Sequence, residues 1–189
     1  GAVVRIVQNK NGWEIRQLPE AESALIAMDP RTGAIKALVG GFDFAKNNFN
    51  RVTQAQRQPG SSFKPFIYSA GLEEGIMPSS LISDSPFTLS ASVTGGRAWS
   101  PKNYDGSFGP PITMRQALTR SKNLVSVRIL QTVGTQKAQD WAGRFGFPAE
   151  RTPPYLTMAL GAGTVTPLEL ATGLSVFANG GYKVNPYII

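Results

Sequence analysis

The order of hydrophobic patterns along the chain is the feature that most limits its fold. Two near-continuous apolar runs, Ala24–Met28 and Ala34–Val39, flank a turn at Asp29–Gly33. The turn contains a proline, which presets one backbone angle, and a glycine, which permits a positive φ. The runs predict two strands that are buried on both faces. Mainly helical patterns follow, and strands followed by helices predict the α+β class.

Four segments carry the signals of helices. The first predicts one buried stripe, with apolar residues at i, i+3, i+4 and i+7: Phe63, Phe66, Ile67 and Ala70. The other three are predicted to begin at Met114, Thr135 and Pro167, the first and last of them behind capping boxes. Between Pro78 and Pro111 lies a long, turn-rich stretch, and such loops inside a compact domain are often functional.

The first twenty residues are set apart from the rest. They predict two short strands, Val3–Gln8 and Trp13–Leu18, around a turn at Lys10–Gly12. We therefore expect residues 1–20 to be the end of a linker or a small β module, and residues 21–189 to belong to the α+β domain.

Two absent residue types limit the chemistry. The chain has no histidine and no cysteine, which excludes a Ser-His-Asp triad, a thiol nucleophile and ordinary zinc ligation. General acid–base chemistry must then use Lys, Asp, Glu, Tyr or water.

The net charge of +7 suits several polyanions: nucleic acid, an anionic membrane surface or a cell-wall polymer. No block of consecutive basic residues indicates nucleic acid, and no apolar run approaches the ~20 residues of a membrane-spanning helix. The simplest interpretation is a soluble basic surface.

One serine is spaced for activation by a lysine. Ser61 and Lys64 form the only Ser-x-x-Lys in the chain, and on a helix this spacing leaves the side chains about 60° and one turn apart. A hydroxyl needs a base near neutral pH, and burial can lower the pKa of a lysine enough to serve. Pro59 and Pro65 favour a helix start here. The spacing alone also fits a capping serine beside a solvated lysine.

A second polar element, Ser121-Lys122-Asn123, lies between two predicted helices. Ser121 could relay a proton, and the Asn123 amide could hold a substrate amide with its donor and acceptor. A simple helix cap at the break between two helices would explain the same residues.

Together the two elements resemble the transpeptidase domain of the bifunctional, class A penicillin-binding proteins. Gln58–Phe66 resembles the family's nucleophile segment, and Ser121–Asn123 looks like its second motif. The resemblance extends from about residue 21 to the last residue and includes further stretches: Asp29–Gly33, Gly40-Gly41, Phe49–Arg51, Trp99–Tyr104, Leu160-Gly161, Val165–Ala171 and Phe177–Gly181.

The resemblance implies a penicillin-binding protein and serine β-lactamase-like fold, in which an antiparallel sheet packs with helices beside an all-helical subdomain. The family's third motif, Lys-Thr-Gly on a core strand, does not occur, and Arg31-Thr32-Gly33 mimics it only in a turn before the nucleophile segment. We therefore expect the third motif and later strands to follow this chain, and a glycosyltransferase domain and membrane anchor to precede it.

For function, the resemblance implies a D,D-transpeptidase that cross-links peptidoglycan stem peptides at the periplasmic face of the bacterial inner membrane. Ser61 would be the nucleophile, Lys64 its base, Ser121 the proton relay and Asn123 the residue that binds the donor amide. The implied partners are a D-Ala-D-Ala donor, an amine acceptor, β-lactam antibiotics and proteins of wall synthesis. No metal, organic cofactor or nucleic acid is expected.

Three alternatives stay open. A β-lactamase would need a base for deacylation, and none of the 12 acidic residues lies in a recognisable setting for it. A D,D-carboxypeptidase would use the same residues with water as acceptor. A non-catalytic scaffold or sensor would bind β-lactams without turnover. Trp99–Tyr104 would either wall the cleft or form a loop packed on its own tryptophan.

Overall fold

The computed structural model describes residues 1–17, 20–94 and 96–188. Its strands are β1 (Arg5–Asn9), β2 (Gly12–Arg16), β3 (Leu25–Met28), β4 (Ala34–Val39), β5 (Leu81–Ile82), β6 (Ile112–Thr113) and β7 (Tyr187–Ile188). Its α-helices are α1 (Arg51–Gln54), α2 (Lys64–Glu73), α3 (Ala91–Thr94), α4 (Met114–Thr119), α5 (Asn123–Val133), α6 (Thr135–Arg144) and α7 (Pro167–Ala178). Shorter 3-10 helices cover Gly60–Phe63, Ala149–Arg151 and Leu156–Leu160.

The predicted hairpin forms one side of a three-stranded sheet in the order β3-β4-β7. β3 and β4 pair antiparallel across the turn, where the Asp29 carbonyl accepts a hydrogen bond from the Gly33 N–H at 2.9 Å. β7 pairs with β4 in parallel, with Ala34 opposite Tyr187. In the described residues the sheet is therefore mixed rather than purely antiparallel.

The prediction that both hairpin strands are buried on both faces is wrong. β3 alternates between exposed and half-buried residues, and in β4 only Ala34 is buried. Leu25 and Val39 are opposite each other in the register and are 53% and 51% exposed. α7 packs against β3. Within the described residues, a helix therefore covers one face of the hairpin, and apolar side chains on its other face remain exposed.

The hydrophobic core is helical and centres on α2 and α5. α2 packs against α4, α5 and α6, and α5 also packs against the 3-10 helix Leu156–Leu160. The predicted stripe is confirmed, since Phe63, Phe66 and Ile67 are 1% exposed and Ala70 is 2% exposed. Burying each large apolar side chain contributes about 1.5–3 kcal/mol to the free energy of folding. The packed helices therefore hold the residues at their ends in fixed positions. In the described part of the chain, no helix has the length and apolarity to cross a membrane.

Both predicted capping boxes are present. Thr113 Oγ1 accepts from the Gln116 N–H at 3.2 Å, and Gln116 Oε1 accepts from the Thr113 N–H at 3.3 Å. Thr166 and Glu169 make the same reciprocal pair at 3.2 and 2.8 Å. Helices α4 and α7 therefore begin where the sequence predicts.

The N-terminal hairpin stands apart from this core. β1 pairs antiparallel with β2, with Arg5 opposite Arg16, and every residue of both strands is exposed. The strands lie close to their predicted positions, but the predicted end at Leu18 lies outside the described residues.

The stretch between Pro78 and Pro111 is mostly irregular, as predicted. It nevertheless contains β5, which pairs antiparallel with β6, and an isolated bridge between Leu89 and Trp99. This stretch lies beside the start of α5 and contributes to the candidate site.

Candidate active site

Ser61 lies in the 3-10 helix Gly60–Phe63, which continues directly into α2. The Lys64 N–H donates to the Ser61 carbonyl, and Pro65 occupies the first turn of α2, so the predicted helix start is confirmed. Ser61 is exposed and lines a cleft of about 310 Å³.

A second segment braces the chain just before Ser61. Gly161 packs so closely on Gly60 that a Cβ at residue 161 would lie 2.6 Å from the Gly60 nitrogen. Nearby, Arg57 and Val165 exchange two backbone hydrogen bonds of 3.0 Å each. These contacts fix the backbone at Arg57 and Gly60, the two ends of the short segment that leads into Ser61.

Lys64 is buried, at 1% exposed, and hydrogen-bonds to the second motif. Its Nζ donates to the Ser121 carbonyl at 2.6 Å, to Ser121 Oγ at 3.0 Å and to Asn123 Oδ1 at 2.7 Å. These three bonds match the three donors of an ammonium group.

The environment of Lys64 suits a base. Burial lowers the pKa of Lys64 from 10.5 to about 8, because removing the ammonium from water disfavours its charged form. At pH 7 about one molecule in ten then carries a neutral amine.

Ser121 has an unusual backbone conformation. Its φ is 52°, and no other non-glycine residue in the described ranges has a positive φ. The left-handed conformation costs a non-glycine residue roughly 1–2 kcal/mol. Ser121 lies at the break between α4 and α5. Its left-handed backbone allows both its carbonyl and its hydroxyl to face Lys64.

Asn123 is the first residue of α5. Its side-chain amide makes two hydrogen bonds within the described residues. Its Oδ1 accepts from Lys64, and its Nδ2 donates to the Lys102 carbonyl at 2.9 Å. A side-chain amide has two N–H donors and two acceptor positions. Among the described residues, one N–H donor and one acceptor position of this amide therefore have no protein partner.

The structure thus brings Lys64, Ser121 and Asn123 into direct contact, and it places Ser61 beside Ser121 and Asn123 in one cleft. Among the hydrogen bonds of the described residues, none joins the side chains of Ser61 and Lys64. The four residues singled out from the sequence therefore share one site.

The supporting residues Asp84 and Asn103 were missed by the sequence analysis as functional positions. Asp84 is 1% exposed and Asn103 is 4% exposed. Asn103 accepts hydrogen bonds from the backbone of the second motif and donates to Asp84 at 2.8 Å. Asn103 belongs to the stretch Trp99–Tyr104, but nothing in the local sequence indicates that its amide is buried.

The Trp99–Tyr104 stretch divides between two places. Asn103 and Tyr104 line the cleft of Ser61. Trp99 instead packs against the core and lines a separate, more apolar cavity of about 580 Å³ beside Leu130 and Tyr155. Both interpretations of this stretch are therefore partly correct, because its two ends face different cavities.

Comparison with known proteins gives one family. Residues 23–189 match the model of the penicillin binding protein transpeptidase domain. The chain is 51% identical over 189 residues to penicillin-binding protein 1A of Neisseria lactamica, covering 100% of this chain and 24% of that protein. It is 48% identical over 190 residues to penicillin-binding protein 1A of Pseudomonas aeruginosa, covering 100% of this chain and 23% of that protein. The chain spans about a quarter of the length of these relatives.

Solved structures show the same fold. The crystal structure of penicillin-binding protein 1A from Haemophilus influenzae matches with a TM-score of 0.92 at 42% identity, over 97% of this chain and 27% of that one. PonA1 from Mycobacterium tuberculosis, solved in complex with penicillin V, matches with a TM-score of 0.75 at 26% identity, over 88% of this chain and 47% of that one. The fold that the sequence predicted is confirmed.

Proposed function

Because this chain belongs to the penicillin-binding protein transpeptidase domain family, we propose that it carries the acyl-enzyme chemistry of a serine D,D-transpeptidase. Its substrates would be peptidoglycan stem peptides, one as a D-Ala-D-Ala donor and one as an amine acceptor. Such a reaction takes place where the stem peptides are, at the periplasmic face of the inner membrane, and in company with other proteins of wall synthesis.

One observation supports this proposal most directly: a buried lysine of lowered pKa lies one turn from an exposed serine. Lys64 has a pKa of about 8 because of its burial, and it is bonded to a second hydroxyl, Ser121 Oγ, at 3.0 Å. In a chain without histidine or cysteine, this is an arrangement that can generate an alkoxide near neutral pH.

The acylation step uses these residues in sequence. Neutral Lys64 takes the proton of Ser61 Oγ while that oxygen bonds to the carbonyl carbon of the penultimate D-Ala. The bond to the terminal D-Ala nitrogen then breaks, and Ser121 passes a proton from Lys64 to that nitrogen. Asn123 holds the donor amide with its remaining donor and acceptor positions.

The second step reverses these roles. The acceptor amine attacks the ester carbonyl and gives up a proton through Ser121 to Lys64, and Ser61 leaves with its proton restored. In both steps the Ser61 N–H, at the start of a helix where such groups lack intrahelical partners, would stabilise the oxyanion. A β-lactam enters the first step as a cyclic amide, so ring opening leaves the product attached to Ser61.

A β-lactamase needs a base that activates water for deacylation, and the two carboxylates near the cleft are poorly suited to that task. This favours transfer of the acyl group to an amine. Hydrogen bonds from Ser107 hold the pKa of the Asp105 carboxyl below its usual value, which makes Asp105 a weak base for activating water. Asp84 is buried and engaged by Asn103 and by Lys122, the latter at 3.4 Å. In the described part of the chain, neither is free to drive rapid deacylation.

The first test is the site of acylation. The full-length gene product that carries this sequence is incubated with benzylpenicillin, and its intact mass is measured before peptide mapping. We expect an adduct on Ser61 in the wild type and no adduct in Ser61→Ala. Ser62→Ala is the matched control, because Ser62 is an exposed serine in the same turn, and it should be acylated normally. An adduct on Ser61→Ala, or none on the wild type, contradicts the proposal.

A second assay separates the transpeptidase from the alternatives. The protein is supplied with a stem peptide ending in D-Ala-D-Ala and a second peptide that carries the acceptor amine. A transpeptidase gives the cross-linked dimer over many turnovers. A carboxypeptidase gives only the shortened donor, and a sensor is acylated once and stops, so either result would overturn the proposed reaction.

A further inference from the structure

Helix α5 is capped from a distant part of the chain. Its own N-cap residue, Lys122, makes no side-chain cap hydrogen bond. The Oδ1 of Asn103 does so instead, accepting from the N–H groups of Asn123 at 2.9 Å and Leu124 at 3.3 Å. The cap therefore acts on the backbone of Asn123 itself, where α5 enters the cleft.

The orientation of the Asn103 amide is determined by its surroundings. Its Nδ2 donates to Asp84 Oδ1 and to the Ser107 carbonyl, both at 2.8 Å. All four hydrogen-bonding positions of the amide are thus occupied. The contact of Asp84 Oδ1 with Nδ2 keeps the NH₂ side of the amide toward Asp84 and leaves its oxygen toward α5.

Asp84 is in turn held by α5. Arg128, one turn and a half along that helix, donates from Nε to the Ser83 carbonyl at 3.0 Å and from Nη2 to the Ser85 carbonyl at 2.8 Å. The guanidinium also lies 4.2 Å from the ring centre of Phe87. The backbone on both sides of Asp84 is therefore tied to the helix whose N-terminus Asp84 helps to orient.

We infer that Asp84 and Asn103 are positioning residues that hold the second motif against Lys64. This inference rests on the proposed function. Asn103 sets the backbone of Asn123, and Asp84 pairs with Lys122 between Ser121 and Asn123, with its Oδ2 3.4 Å from Nζ. A displacement of this backbone would lengthen the short bonds from Lys64, and a misplacement of about 1 Å can cost a hundredfold in rate.

The test measures the time course of acylation by benzylpenicillin in the full-length gene product. Its amplitude reports how much protein is folded and competent, whereas its rate constant reports how well the site is arranged. Asn103→Ala should keep its amplitude but acylate Ser61 at least about tenfold more slowly.

Gln139→Ala is the matched control. Gln139 is also a side-chain amide that bridges backbone carbonyls, donating to Ala149 at 3.0 Å and Thr152 at 2.9 Å, and it does not line the cleft. Its loss should leave the rate constant unchanged. Equal slowing in Gln139→Ala would reveal general destabilisation and would overturn the inference.

A charge exchange tests the pair itself and applies even where Asn103→Ala fails to fold. Asn103→Asp places a second carboxylate against Asp84, so acylation should slow. Combining it with Asp84→Asn restores a donor opposite an acceptor and should recover acylation about tenfold relative to Asn103→Asp alone. Absence of that recovery contradicts the inference.

The outcomes separate this inference from its premise. A wild type that is acylated on Ser61 alongside an Asn103→Ala variant of equal rate overturns the positioning role alone. A wild type that is not acylated on Ser61 overturns the proposed function, and the inference falls with it.

Discussion

At the scale of the residue, the proposed chemistry depends on the protonation state of Lys64. A solvated lysine is protonated at neutral pH and cannot accept a proton from serine. Its burial at 1% exposure lowers its pKa to about 8, while bonds to Ser121 and Asn123 keep its Nζ in place. Burial therefore makes Lys64 able to accept a proton near neutral pH, and the hydrogen bonds fix the position of its Nζ.

The pH dependence of acylation follows from this pKa. Because the lowered pKa allows the neutral form to accumulate as the pH rises through about 8, acylation of Ser61 should increase about fivefold from pH 7 to pH 8 and level off above pH 9. Stopped reactions with benzylpenicillin across this range measure it.

Lys64→Ala provides the comparison. Losing the base should slow acylation by ~10²–10⁴, and the remaining reaction should show no inflection near pH 8. A wild-type profile that is flat from pH 7 to pH 9, or normal acylation in Lys64→Ala, would contradict the assignment of Lys64 as the base.

At the scale of the element, the start of the nucleophile helix depends on a close glycine contact. Gly161 has a φ of 70°, and a Cβ there would lie 2.6 Å from the Gly60 nitrogen. The turn that carries Ser61 therefore packs backbone against backbone at Gly60 and Gly161. No flexible side chain of the described residues lies between the two glycines to make room for an added group.

Gly161→Ala should thus reduce both stability and acylation. The added Cβ forces Gly60 to move, which should lower the free energy of unfolding by about 1–3 kcal/mol and slow acylation of Ser61 at least about tenfold. Thermal unfolding and benzylpenicillin time courses measure the two effects.

Gly180→Ala isolates the contact from backbone strain. Gly180 also has a positive φ, 84°, but a Cβ there would meet nothing within 4 Å. This variant should lose roughly 1–2 kcal/mol from the left-handed conformation and keep normal acylation. Equal acylation rates in the two variants would show that the Gly161 contact does not position Ser61.

At the scale of the whole molecule, an aromatic cluster joins elements that are far apart in the chain. Phe66 of α2 lies 4.7 Å from Phe147 and 5.4 Å from Phe177 of α7, measured between ring centres. Gly173 of α7 leaves room for these rings, since a Cβ there would come 2.8 Å from Phe147 Cζ. The helix that carries Lys64 is therefore joined to α7 through these rings.

Stability should differ strongly between this core and the N-terminal hairpin. The backbone amides of α5, which is buried along most of its length, should exchange at least about a hundredfold more slowly than those of β1 and β2, whose residues are all exposed. Hydrogen exchange with mass spectrometry of the full-length gene product measures this.

Equal protection of the hairpin and α5 would contradict that prediction, and it would mean that the hairpin packs against another part of the protein. It would equally count against the domain boundary predicted at residue 20.

Local signals in the sequence were sufficient for several elements. The starts of α4 and α7 depend on capping boxes within four residues, Thr113–Gln116 and Thr166–Glu169, and the buried stripe of α2 depends on periodicity within one helix. The Ser61 and Lys64 pair could be predicted for the same reason. The two residues are one turn apart in a continuous helical segment, in which the 3-10 helix of Ser61 runs directly into α2, so their spacing requires no knowledge of the rest of the fold.

Only the tertiary structure decided what surrounds that pair. Lys64 meets Ser121, which lies 57 residues later, Asn103 caps a helix that begins 20 residues later, and Gly161 contacts Gly60 from the other half of the chain. The exposed faces of β3 and β4 likewise depend on which helices pack on them. A sequence by itself determines local conformation through short-range hydrogen bonding and periodicity, whereas burial, and with it the pKa of Lys64, arises only when distant segments exclude water together.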